Sequence, residues 1–145
     1  MEKINQVKVM FITLLGGTGS FLVQLLGGWT TDLNTLLIFM GVDFITGLMI
    51  AAIWKKSGKS ESGALNSISA WKGLCRKGAS LLVVLISYRL DVTLHVDYIK
   101  TAVIIAFIAN EGISIVENLG VMGVPLPTVI TKAIDVLKEK STEGE

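Results

Sequence analysis

Three acidic residues interrupt the most apolar parts of this sequence, and their chemistry needs an explanation. Asp43 lies near the middle of the apolar residues 33–54, and Glu111 and Glu117 lie within residues 98–119. On membrane-insertion scales a carboxylate at the centre of an apolar helix costs roughly 2.5–3.5 kcal/mol, so it should face protein or water rather than lipid. Desolvation also disfavours the charged form of a lone buried acid. The pattern therefore predicts acids that line a hydrated path or bind neighbouring helices.

Further polar and small residues accompany these acids at helical spacing. Glu111, Ser114 and Asn118 fall on one face of a helix, and Gly47 offers a small surface close to Asp43. A polar stripe in a membrane helix usually faces the interior of a bundle or a watery path. Two interpretations stay open: hydrogen bonds that hold a fold or oligomer together, or the wall of a pore. Glu117 is explained equally well as an acid at the membrane surface.

Residue counts argue against most catalytic chemistry. The single Cys75 excludes an intrachain disulfide and a cysteine metal site, and the single His95 excludes most histidine metal sites. There is no glycine fingerprint for nucleotides and no nucleophile–histidine–acid set with local support. We therefore predict a protein that is not an enzyme, with no metal, no cofactor and no nucleic-acid partner.

Composition places the chain among membrane proteins. Of its 145 residues 51% are hydrophobic and 17% charged, and the mean hydropathy is +0.64. We predict a single all-α integral membrane domain over residues 1–145. Four transmembrane helices are expected, followed by an amphipathic helix that is too short and too charged to span. The expected helices cover residues of about 9–29, 33–54, 74–94, 98–119 and, for the amphipathic one, 128–140.

The first and third helices each leave an alternative. Residues 9–28 are long for the apolar region of a signal peptide and lack a clear cleavage site, so an uncleaved helix is favoured. Within that helix, Gly16 and Ser20 form a small-xxx-small pair that permits close packing, although glycine is common in membrane helices. The third helix has only a short apolar stretch interrupted by Arg89, so a re-entrant or surface segment is the alternative to a full span.

Basic residues indicate how the helices are oriented. Lysines and arginines concentrate on the cytoplasmic side of membrane proteins. This rule places both termini and the loop after the second helix inside, with Asp43 at mid-depth, Glu111 somewhat deeper and Glu117 near the cytoplasmic surface. Arg76 or Lys77 would serve as an anchor or pair with Glu117. The residues that determine the orientation are Lys55, Lys56, Lys59, Arg76 and Lys77.

Four short motifs occur in order along the chain. The first is Asp43-x-x-Thr46-Gly47, and the second is Trp71-Lys72-Gly73 with Arg76-Lys77. The third runs from Asn110 through Glu111-Gly112-Ile113-Ser114-Ile115-Val116-Glu117 to Asn118, and the fourth is Gly123-Val124-Pro125-Leu126-Pro127. Each motif alone is weak, but in this order and spacing, from about residue 33 to residue 140, they specifically resemble the phage holin family that includes clostridial toxin-secretion holins.

The resemblance implies a phage lysis protein. Such a protein accumulates in the cytoplasmic membrane of a bacterial host, forms homo-oligomers and opens a pore or lesion. A cell-wall hydrolase, the endolysin, then escapes as cargo without necessarily binding the holin, and the host undergoes cytolysis. The alternatives are a non-lytic toxin-export channel of the same family and a small four-helix multidrug-type transporter. The transporter would be expected to carry its key glutamate in the first helix, whose apolar part contains no acid.

Overall fold

The computed structural model describes residues 2–55 and 66–142, with side chains from residue 5 onward. The described elements are all helical, as the composition predicts. They are α1 (Glu2–Leu25), α2 (Thr31–Met49), α3 (Ser67–Leu94), α4 (Ile99–Val121) and α5 (Thr128–Thr142). A π-helical segment, Ile50–Trp54, extends α2 without a break.

Three of these helices are long and apolar enough to cross a bilayer, judged over the described residues. They comprise Asn5–Leu25, Thr31–Trp54 and Ile99–Val121. The long helix α3 has 28 residues, but basic side chains along it lower its hydropathy. An integral membrane protein is therefore well supported, whereas the count of four spans stays a prediction.

Local signals in the sequence determine where α3 begins. Asn66 has an extended backbone, and its side-chain oxygen accepts a hydrogen bond from the backbone N–H of Ile68 at 2.9 Å. This is a standard N-cap, which satisfies one of the donors left free at a helix start. The helix therefore begins at Ser67, earlier than the start near residue 74 that the sequence predicted.

The core lies between α2, α3 and α4. Leu33 and Leu36 of α2, Val84 of α3 and Ile104 of α4 are fully buried. In a bilayer such contacts stabilise the fold through van der Waals packing, because lipid tails are as apolar as these side chains. Packing of apolar faces therefore joins these three helices into one bundle.

Close approaches show the direction of each helix. Phe39 of α2 lies beside Gly112 of α4, and Gly47 lies beside Asn118, so α2 and α4 run parallel. The helix α3 runs the opposite way, because its last turns meet the start of the other two. There, a Cβ built on Gly27 would lie 2.6 Å from Cδ2 of Tyr88. Gly27 also has φ +86°, a left-handed conformation that favours glycine in this turn.

The terminal helices differ in their contacts with this bundle. No residue in the apolar part of α1 is buried. In contrast, α5 folds back along α4: a Cβ on Gly112 would lie 3.3 Å from Cγ1 of Ile134, and Leu137 packs against the core. The small glycine therefore allows α5 to pack closely at the mid-length of α4.

Candidate functional site

An ion cluster joins α2, α3 and α4 in the interior of the bundle. The ammonium of Lys77 donates a hydrogen bond to Oδ2 of Asp43 at 2.9 Å and another to Oε2 of Glu111. The side chains of Asp43 and Glu111 are only 6% and 9% exposed, and that of Lys77 is 15% exposed. One lysine from α3 thus bridges one acid from each of the two parallel helices.

An amide completes the coordination of Asp43. The side-chain nitrogen of Asn118 donates to Oδ1 of Asp43 at 3.0 Å and to the hydroxyl oxygen of Thr46 at 2.9 Å. The Thr46 hydroxyl in turn donates to the backbone carbonyl of Asp43 at 3.1 Å. Both carboxylate oxygens of Asp43 therefore accept a hydrogen bond, which offsets part of the cost of burial. We call Asp43, Thr46, Lys77, Glu111 and Asn118 the charge cluster.

The charge cluster lies at the mid-length of the two parallel helices. Asp43 and Glu111 each come twelve residues after the first residue of their helix, which is about 18 Å along the axis. The sequence suggested that Glu111 lies deeper than Asp43, but binding to the same ammonium places them at one level. Two carboxylates share a single ammonium here, so the fully ionised cluster carries one net negative charge.

A second polar contact organises the opposite end of α3. Asp91 is buried, and its two carboxylate oxygens accept hydrogen bonds from the backbone N–H groups of Ile99 and Lys100, each at 2.9 Å. These N–H groups belong to the first turn of α4, where no helical carbonyl is available to them. Asp91 thereby caps α4 from outside that helix, and its carboxylate interacts favourably with the partial positive charge at the N-terminus of α4.

The structure brings together some of the residues that the sequence singled out and separates others. Asp43, Glu111 and Asn118 meet in the charge cluster, and Gly47 lies beside it. Ser114 is half-buried, whereas Glu117 is exposed. The small-residue pair of α1, Gly16 with Ser20, is exposed as well, and a Cβ on Gly16 would meet nothing within 4 Å.

The residues chosen for membrane orientation have varied surroundings. Lys55 ends the π-helical segment in a left-handed conformation and is exposed, as is Arg76. Lys56 and Lys59 lie outside the described residues. Among the described residues, neither Arg76 nor Lys77 forms an ion pair with Glu117, so the pairing suggested by the sequence is replaced by the bridge from Lys77 to Asp43 and Glu111.

Sequence reasoning missed the central role of Lys77 and the capping role of Asp91. The need of two acids in membrane helices for a counter-charge was a general signal, but it did not single out Lys77. In the described part of the chain, no group of three or more histidine, cysteine, aspartate or glutamate side chains has a geometry that could hold a metal ion. The charge cluster is therefore best described as a polar junction between helices.

Comparison with known proteins connects this fold to a family. Residues 20–139 match the model of the bacteriophage holin family. A "Probable holin" of Bacillus phage phi105 is 36% identical over 112 residues, covering 77% of each chain. An "Uncharacterized 14.9 kDa protein in nagH 3'region" of Clostridium perfringens is 33% identical over 139 residues, covering 94% of this chain and 96% of that protein. No solved structure matches. The family resemblance read from the four motifs is confirmed, and the chain belongs to the bacteriophage holin family.

Proposed function

We propose that this chain is a holin that oligomerises in the cytoplasmic membrane of a bacterial host and opens a lesion. A cell-wall hydrolase made in the cytoplasm leaves through this lesion and lyses the host. Further copies of the chain and the lipid bilayer are its partners, and the hydrolase passes as cargo. Membership of the holin family supports this assignment.

In this proposal α1 to α4 each cross the bilayer, with the N-terminus and the turn between α4 and α5 in the cytoplasm. The α1–α2 turn and the α3–α4 turn lie at the same end of the bundle, as alternating spans require, because Gly27 and Tyr88 meet there. Trp29 and Tyr98 are exposed at that end, where aromatic side chains commonly lie at a membrane surface. With 28 residues, α3 measures about 42 Å, which exceeds the roughly 30 Å of hydrocarbon.

The observation that carries the proposal is the position of α5 beside the mid-length of α4. Ile134 packs on Gly112, while Lys132, Asp135 and Glu139 of α5 are exposed. If α4 crosses a bilayer, these charges lie at the depth of the hydrocarbon, where each would cost roughly 2.5–3.5 kcal/mol on insertion scales. Water must then reach this face of the bundle, as it would inside a hydrated lesion surrounded by several copies.

The unpartnered α1 provides surface for contacts between copies. Its apolar side chains, among them Phe11 and Phe21, are about 60% exposed. The exposed Gly16 and Ser20 would let a neighbouring helix approach closely in the membrane. Self-association through α1 would leave the exposed charged face of α5 free to face water.

The test is induced expression of the full chain in a bacterial host, with and without a co-expressed cytoplasmic cell-wall hydrolase. Membrane potential, culture turbidity and hydrolase activity in the medium are followed together. The proposal expects an abrupt loss of potential at a reproducible time, with clearing of the culture only when the hydrolase is present. A catalytically inactive hydrolase is the matched control and should appear in the medium without clearing.

Two results would contradict the proposal. Loss of potential while the hydrolase stays in the cytoplasm would indicate a small ion-conducting hole rather than a lesion that passes protein. Continued growth with an intact potential, at an expression level verified in the membrane fraction, would exclude lysis by this chain.

A further inference from the structure

A pocket of about 560 Å³ lies at the end of the bundle where α3 meets the starts of α2 and α4. Pockets for small ligands usually occupy about 300–1,000 Å³. Its wall contains one basic side chain, Lys100, and three acidic ones, Asp32, Asp91 and Asp97. This pocket is remote from the charge cluster, so its chemistry is separate from that of the proposed lesion.

Lys100 is the unusual member of this wall. The residue is only 8% exposed, yet within the described chain its ammonium forms neither a hydrogen bond nor an ion pair. Its one specific contact is with the ring of Tyr88, whose centroid lies 5.6 Å from Nζ. The stem of Lys100 is buried, but its Nζ is not among the buried polar atoms without a partner, so the ammonium is accessible from the pocket. Its three N–H donors are therefore available to an anionic or oxygen-rich group that enters the pocket.

Two further features describe what the partner must offer. The hydroxyl of Thr30 is buried in the pocket wall and has no hydrogen-bond partner among the described residues. Asp91 is already satisfied by the first turn of α4, whereas Asp97 is exposed and Asp32 is half-buried. The pocket thus combines an unpaired cation with an excess of carboxylates, and it suits a ligand that carries both signs of charge.

The position of the pocket indicates where such a ligand would come from. Trp29 directly precedes Thr30, and Tyr98 lies between Asp97 and the start of α4; both aromatic side chains are more than 60% exposed. Exposed tryptophan and tyrosine at the ends of membrane helices mark the level of the lipid headgroups. The pocket therefore opens at the depth where a phospholipid headgroup lies.

We propose that this pocket binds the phosphoethanolamine headgroup of a phospholipid. The ammonium of Lys100 and the Thr30 hydroxyl donate hydrogen bonds to the phosphodiester oxygens. The primary ammonium of the ethanolamine donates to the carboxylates of Asp32 and Asp97. No bond is made or broken, and the site would tie the end of the bundle to one class of lipid.

The charges of the pocket discriminate between headgroups. Phosphatidylglycerol brings a phosphodiester but no cation, so it faces the carboxylates without compensation. Phosphatidylcholine brings a quaternary ammonium that has no N–H to donate. Of these three headgroups only phosphoethanolamine offers a partner to both Lys100 and the acids, and preference for it over the other two is the signature of the site.

The experiment is native mass spectrometry of the full chain in detergent, titrated with phosphatidylethanolamine, phosphatidylcholine or phosphatidylglycerol of identical acyl chains. We expect one tightly bound phosphatidylethanolamine per chain, with apparent affinity at least tenfold above that of the other two lipids. Glycerophosphoethanolamine, which lacks acyl chains, is added as a competitor. Competition identifies the free headgroup as sufficient, while lipid binding without competition identifies the intact lipid as the ligand.

Variants separate this site from general lipid association. Lys100→Met should weaken phosphatidylethanolamine binding at least tenfold, and Lys100→Arg should retain most of it. Asp97→Asn changes an exposed side chain, so it should leave the fold intact and abolish the preference over phosphatidylcholine. Lys132→Met, an exposed lysine of α5, is the matched control and should bind like the parent chain.

Three results would overturn the proposal. They are equal affinity for the three lipids, unchanged binding in folded Lys100→Met, and unchanged preference in Asp97→Asn. Far-ultraviolet circular dichroism and the thermal midpoint establish that each variant is folded before it is scored. Lysis timing is not a readout, so failure here leaves the proposed holin function untouched and failure of that function leaves this site untouched.

Discussion

Removing the ammonium of Lys77 should destabilise the helix bundle strongly. In Lys77→Met the carboxylates of Asp43 and Glu111 lose their shared partner while staying buried. Deleting one partner of a buried ion pair typically costs about 3–5 kcal/mol. The side chain of Lys77 is 15% exposed, which argues for the lower end of that range. A loss of about 3 kcal/mol corresponds to more than a hundredfold shift in the folding equilibrium.

The assay is reversible unfolding of the full chain in mixed detergent micelles, followed by circular dichroism. Lys72→Met is the matched control, because it removes an exposed lysine from the same helix and should change the free energy of unfolding by less than about 0.5 kcal/mol. Both variants gain the same apolar side chain, so the difference between their free energies of unfolding reports the loss of the buried bridge.

A triple variant tests whether the cost comes from unpaired charge. Asp43→Asn with Lys77→Met and Glu111→Gln leaves no ion in the cluster, which removes the penalty of an uncompensated buried charge. We expect the triple variant to recover most of the loss seen in Lys77→Met. Two results would refute this reasoning. One is a free energy of unfolding for Lys77→Met equal to that of the Lys72→Met control, and the other is a triple variant no more stable than Lys77→Met.

Three further substitutions test the packing of the helices. Gly112→Leu should push α5 away from α4 at a cost of about 1–3 kcal/mol and speed hydrogen exchange in Thr128–Thr142. Gly120→Leu is the control, because a side chain there meets open space, and it should change neither the stability nor the hydrogen exchange of α5 in this way. Gly27→Ala should lower the thermal midpoint more than Gly28→Ala, since both glycines have positive φ but only Gly27 faces a tyrosine ring within 3 Å. Equal midpoints would contradict that contact. Asp91→Ala should cost about 1–2 kcal/mol and loosen the first turn of α4 in hydrogen exchange, and protection like that of the parent would exclude its capping role.

Local patterns were enough to predict much of this architecture. Apolar runs of about twenty residues predict the long helices α1, α2 and α4, because the length and hydropathy of a span are properties of contiguous sequence. The ends of the helices were harder to predict from the sequence. The capping of α3 by Asn66 places its start well before the apolar run, and a polar residue gives only a weak signal of that kind.

The charge cluster shows most clearly what the sequence determines and what only the tertiary structure decides. The sequence by itself singled out Asp43 and Glu111, because an acid in an apolar run is costly wherever the chain folds. It could not identify Lys77 as their common partner, since 34 residues separate that lysine from each acid. Only the antiparallel packing of α3 against the parallel pair α2 and α4 brings the three side chains together.

The same division applies to the two ends of the bundle. An amphipathic pattern predicts α5, but only the space beside Gly112 decides that α5 folds back along α4 instead of lying apart from it. Lys100 is an ordinary residue in the sequence, and the turn capped by Asp91 and the ring of Tyr88 bury most of its side chain and leave its ammonium at the pocket without an ion pair among the described residues. Hydrophobicity and helical periodicity are local and can be read from the chain, whereas charge pairing and close approach depend on helices that are distant in sequence.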